Sequence, residues 1–168
     1  MVSSGHPSAS VAELRFQSSE YREALKALRS PDPGTGTLVT LSGTVRRELD
    51  LGAQELARGL GRTLYRVDLN KIASKYIGET EKHLEAIFAQ AQASNAALLF
   101  EDGDALFGNG ASGTGAGDRP NAKSLRFVVE RLAAYRGIIV ALLTQPPAPS
   151  PRLRTKRRLH ITFPPRRA

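Results

Sequence analysis

Residues 41–50 read Leu-Ser-Gly-Thr-Val-Arg-Arg-Glu-Leu-Asp, and they stand where phosphate chemistry is usually done. An apolar run at 37–41 predicts a strand before them, and a helical stripe at 51–60 predicts a helix after them. At such a strand–turn–helix junction, glycines let backbone N–H groups approach phosphate oxygens. A lysine then reaches the terminal phosphates, and a hydroxyl holds Mg²⁺. Here Gly43 is followed by Thr44, Val45, Arg46, Arg47, Glu48, Leu49 and Asp50. Side chains replace the cradle, so close approach to phosphate is obstructed and positive φ becomes costly. Asp50 is placed to cap a helix starting at Leu51, where its carboxylate would compete with an anionic ligand for the orphan N–H groups.

Other chemistries find less support. The chain has no cysteine, and His6, His83 and His160 are too scattered for metal-ligand spacing, so no resident metal is expected. Residues 108–117 (GNGASGTGAG) are glycine-rich and expected to be mobile, but no Gly-Lys-Ser/Thr follows them. The net charge of +8 is local: residues 152–168 hold seven basic residues and no acid, and the remaining chain has 17 basic against 16 acidic residues. That segment is read either as a solvated tail or as a contact for nucleic acid or an acidic protein surface. No signal-peptide order opens the chain and no run is long enough to span a membrane, so a soluble, cytoplasmic protein without membrane contact is expected.

The elements that must position these residues alternate. Residues 1–9 read as a disordered N-terminus and 10–30 as a helix, with Ser10 and Glu13 forming a capping box. Residues 31–36 read as a linker, since Pro31, Pro33 and Gly34 stop the helix. Strands are predicted at 37–41, 64–67, 97–101, 138–143 and 159–163. Between them run three stripes at i, i+3, i+4, i+7: Ala53, Leu56, Ala57, Leu60; Leu84, Ile87, Phe88, Ala91; and Leu125, Val128, Val129, Leu132. Near-continuously apolar strands separated by amphipathic helices predict an α/β three-layer sandwich around a mostly parallel sheet. The Pro-rich segment 145–151 cannot be helical. At 168 residues the chain accommodates one domain.

Residues 65–108, YRVDLNKIASKYIGETEKHLEAIFAQAQASNAALLFEDGDALFG, closely resemble AAA+ ATPases of the AAA clade. There a strand ending in an acid leads to a SKYIGETEK loop, a helix and an LLFDEADALFG strand. A weaker resemblance extends over about 38–164. It implies a P-loop NTPase-like core at 37–165, strand order 5-1-4-3-2 with the first strand central, and a basic C-terminal segment at 152–168. The family's helical lid has no counterpart before Ala168, so a core lacking that lid is expected.

The resemblance also assigns site residues. Gly43, Thr44, Arg46, Arg47, Leu49 and Asp50 take phosphate-loop positions, with Leu49 in place of the lysine and Asp50 in place of the Mg²⁺-binding hydroxyl. Glu101 and Asp102 stand where the family has Asp-Glu, the first supporting Mg²⁺ and the second polarising water. Exchanging the two lengths displaces each carboxylate by on the order of 1 Å, enough to slow chemistry ~10²-fold. Asp104 matches the acid that follows them. Gln145 takes the polar sensor position, usually Asn. Arg154, Arg157 and Arg158 stand where arginine fingers precede a strand ending at Phe163-Pro164. Lys75, Tyr76, Ile77 and Gly78 resemble the central-pore loop that grips polypeptide.

The leading expectation is an AAA+-like core that has lost ATP hydrolysis and acts as a binding or regulatory subunit beside an AAA+ ring or another protein partner. No cofactor is then needed, and ATP with Mg²⁺ enters only if the site retains binding through Glu101 and Asp102. One alternative is a slow ATPase for protein remodelling, with Arg46 or Arg47 standing in for the lysine. Another is a basic nucleic-acid binder acting through 152–168, where Phe163 is the sole aromatic.

Overall fold

The computed structural model of the chain describes residues 19–29, 34–72, 75–107, 122–147, 153 and 157–163. The expectations for 1–9, the Ser10–Glu13 capping box, the 108–117 segment, Arg152, Arg154 and residues 164–168 lie outside these residues.

The elements follow the predicted alternation. In chain order they are α1 (Ser19–Arg29), β1 (Thr37–Ser42), α2 (Arg46–Gly59), β2 (Thr63–Val67), a short α3 (Leu69–Ile72) and α4 (Ile77–Ala93). Then come β3 (Ala96–Phe100), a 3₁₀ turn (Gly103–Phe107), α5 (Ala122–Ala134), β4 (Ile138–Leu143) and β5 (Arg157–Thr162). The five strands form one sheet in the order β2-β3-β4-β1-β5, the order expected, and every pairing is parallel. The middle place belongs to β4, not to the first strand. β1 lies one place over, between β4 and β5.

Side-chain alternation divides the core between two faces. Leu38, Leu98, Phe100 and Ile139 pack with Leu84 of α4 and Val128 and Leu132 of α5. Val39, Leu41, Leu99 and Val140 pack on the other side with Leu49, Ala53 and Leu56 of α2 and Leu28 of α1. β1, β3 and β4 are buried throughout, as sheet-interior parallel strands should be. β5 alternates between half-buried and exposed, because it is paired to β1 alone among the described residues.

Helix ends explain two boundaries. Past α2, Gly61 takes φ +66°, with Gly61 N donating to Arg58 O (3.1 Å) and Arg62 N to Ala57 O (2.9 Å). This pair of bonds is the Schellman motif, and its left-handed position favours glycine. Asn95 takes the corresponding position past α4, with φ 53°.

Two predicted boundaries move. β5 begins at Arg157 and ends at Thr162, two residues and one residue earlier than the apolar pattern suggests. Phe163 leaves the strand but stays buried, and its N–H donates to Ser42 O at 2.7 Å. The larger change is in α2, which starts at Arg46 rather than Leu51.

Candidate functional site

The early start of α2 reshapes the junction after β1. Only residues 43–45 connect strand and helix, and positions 46–50 are already helical. With no glycine between Gly43 and Gly52, nothing holds that stretch open, and local propensity favours winding it up. The N-cap is Val45, in extended conformation and with no side-chain cap bond. The expected Asp50 cap is therefore corrected. Asp50 lies inside the helix, and its carboxylate points sideways, accepting from Gln54 Nε2 (2.9 Å) and Arg66 Nη2 (2.8 Å).

Leu49 turns into the core. It is 4% exposed and packs in the cluster that holds Val39, Leu41, Ala53 and Phe163. Gly43 is needed for close approach of protein to protein: a Cβ there would lie 3.1 Å from both Phe163 Cβ and its carbonyl oxygen, and 3.3 Å from Leu49 Cδ2. Thr44, Arg46 and Arg47 are exposed.

Across from this turn, Glu101 and Asp102 follow β3 as expected, and both are engaged by arginines. Arg46 Nη2 lies 3.3 Å from Glu101 Oε2 and Arg46 Nη1 3.9 Å from Asp102 Oδ1. Arg66, on β2, donates one guanidinium nitrogen to Glu101 Oε1 and the other to Asp50. One network of Arg46, Asp50, Arg66, Glu101 and Asp102 thus joins α2, β2 and the end of β3. The hydrogen bond that Arg66 donates to Asp50 raises its pKa most; burial opposes this, and the charge of Asp50 and the hydrogen bond and charge of Glu101 add to the rise. Arg46 and Arg47 in the first turn of α2 oppose the helix dipole while Glu48 in that turn favours it, and Glu101 and Asp102 offset the charge of Arg46.

Sequence reasoning missed Arg66. Its signal was a lone cation inside an otherwise strand-like run, one residue before the strand's end. Thr144 was also missed. Its N–H donates to Asp104 Oδ1 (3.2 Å) and Oδ2 (3.1 Å), and its hydroxyl donates to Oδ2 (3.0 Å). The acid after β3 is thereby tied to the end of β4. Gln145, the expected sensor, follows Thr144 in an exposed bend.

The remaining expected residues are spread over the molecule. Lys75, Tyr76, Ile77 and Gly78 lead into α4, with Tyr76 as its N-cap. Tyr76 is 59% and Ile77 48% exposed, and Lys75 Nζ sits 5.3 Å from the Tyr76 ring centroid. Arg158 is exposed on β5. Arg157 faces inward at the start of β5, donating from Nε to Thr37 Oγ1 (3.2 Å) and from Nη2 to Leu28 O (3.0 Å). Its guanidinium is engaged within its own chain, at the end of the sheet opposite Glu101.

A five-stranded parallel sheet in this order, with helices on both faces and paired acids after β3, defines an α/β domain of P-loop NTPase type. Residues 51–165 match the family described as "ATPase family associated with various cellular activities (AAA)", and the chain belongs to that family. The matched range opens one residue after Asp50. A comparison with curated proteins gives no match. Among the described residues, no group of three or more His, Cys, Asp or Glu side chains is arranged to hold a metal ion, and no helix is long and apolar enough to cross a membrane.

Proposed function

We propose that this AAA-family domain does not hydrolyse ATP and acts as a binding or regulatory subunit beside another AAA+ subunit or protein partner. The observation that carries this reading is Leu49. The resemblance gives its position to the phosphate-binding lysine, and its side chain is buried in the core. No rotamer change turns it into a cation facing ligand.

Three further features support the reading. The turn at 43–45 is too short and too substituted to cradle phosphates. Asp50 is an acceptor held by Arg66, where a hydroxyl would be needed. Glu101 is paired with both Arg46 and Arg66, and Asp102 lies 3.9 Å from Arg46, so cations of the protein already stand beside the carboxylates that would support Mg²⁺ and water. The residues present do not fit Mg-ATP, and no hydrolytic step is routed through it. The exposed Tyr76–Ile77 pair supports contact with polypeptide, since apolar side chains at a helix entry suit intercalation between those of another chain.

A thermal-unfolding scan with and without millimolar Mg-ATP tests the proposal. A working site with a Kd of ~10 µM would gain about 2.7 kcal/mol at 1 mM ligand. That corresponds to roughly 5–10 °C in a domain of this size. The expected result is a cooperative melt with no shift. A saturable upward shift abolished by Glu101→Ala would overturn the proposal in favour of an unusual ATP site.

A further inference from the structure

We infer that α1 is a strap latched onto the core by two arginines, with Arg157 as the latch that couples it to the edge strand β5. The last turn of every helix leaves carbonyls without an intrahelical partner, at the negative end of the helix dipole. In this molecule two such ends are closed by arginines from other elements. Arg29, at the end of α1, donates from Nε (2.9 Å) and Nη2 to Gly59 O, the last residue of α2. Arg157, at the start of β5, donates from Nη2 to Leu28 O in the last turn of α1 (3.0 Å).

The same Arg157 fastens the sheet. Its Nε reaches Thr37 Oγ1 at 3.2 Å, and its backbone N–H donates to Gly36 O at 3.1 Å. One residue therefore joins the end of α1, the start of β1 and the start of β5. Apolar contacts underlie the polar ones. Leu28 is 7% exposed within the α2-side core. Leu25 covers Gly59 so closely that a Cβ there would lie 2.8 Å from Leu25 Cδ2. Because β5 is paired to β1 alone among the described residues, the contacts at its first residue weigh heavily on its order. When α1 leaves, Arg157 loses one acceptor and β5 loosens at that end.

Amide hydrogen exchange read by mass spectrometry on the full chain tests this. Arg157→Met keeps the aliphatic stem and removes the donors. It is expected to speed exchange in 22–29 at least 10-fold and to raise it in 157–162, with 84–91 and 125–132 unchanged. Arg157→Lys retains the charge but lacks the planar fork that holds Nε and Nη2 on two acceptors at once, and is expected to fall between wild type and Arg157→Met. Arg29→Met removes the reciprocal contact without touching the sheet, and should also speed exchange in 22–29 at least 10-fold. It supplies the reading should Arg157→Met not fold. Exchange in α1 within twofold of wild type in a folded variant would overturn the latch. So would an equal rise across α1, β5, α4 and α5, which would make the arginine a general stabiliser.

Discussion

At the scale of single residues, burial and charge lie side by side around the turn after β1. Leu49 is part of the core. Leu49→Ala should therefore act as a cavity mutation, costing about 2–4 kcal/mol by urea titration. Arg66 is a guanidinium set between two carboxylates. These groups are part-exposed, so Arg66→Met should cost only about 1 kcal/mol at low salt, and the difference should shrink in 1 M NaCl. His160 on β5 supplies a pH handle. Its Nδ1 lies 2.7 Å from Thr40 Oγ1, and its Nε2 lies 3.2 Å from Ser42 Oγ and 3.0 Å from Thr162 Oγ1. Burial lowers its pKa from the ordinary 6.5, with a hydrogen bond to Thr40 opposing. The fold thus favours neutral imidazole. That contribution is complete above the unfolded value and is lost as pH falls through the lower folded value. His160→Gln should flatten stability between pH 7 and pH 5, measured by denaturant midpoints.

At the scale of elements, the sheet was legible because its signal is redundant. The stripes of Leu84 to Ala91 and Leu125 to Leu132 each repeat one apolar face, and Val39, Leu98 and Val140 sit in runs that only a covered sheet tolerates. The start of α2 was not legible in the same way. The family's loop is open because glycines keep it so, and aligning 43–50 onto that loop carried over an openness these residues do not sustain. The contacts of Arg157 were not legible for a related reason. A resemblance places a side chain along the chain, but it does not say which carbonyl lies within reach. Asp104 and Thr144 show the same limit, since their contact joins residues forty apart. Beside that contact, Gly103 is enclosed: a Cβ would lie 2.8 Å from Leu142 O and 2.9 Å from Ala141 Cβ. Gly103→Ala should press the end of β3 away from β4 and cost about 1–3 kcal/mol, read as a lowered denaturant midpoint.

At the scale of the whole molecule, an AAA-family sheet is tied together at the ends of β2 and β3 and the start of α2 by its own side chains. Tyr76→Ala tests whether the exposed entry to α4 serves another chain. It should leave the melting temperature within the range of a neutral surface change, ±0.5 kcal/mol, while weakening binding to a polypeptide partner. The strand order has a consequence in time as well. β1 takes its neighbours from β4 and β5, with Thr37 and Arg157 separated by 120 residues. At synthesis rates of roughly 5–20 residues per second, β1 waits on the order of 10 s after it emerges before either neighbour exists. Through that interval Val39, Leu41 and the apolar face of α2 have no sheet to cover them. The nascent chain is thus most exposed to aggregation and to chaperones around β1 and α2, and β4, the first neighbour of β1 to be made, is the strand that ends the wait.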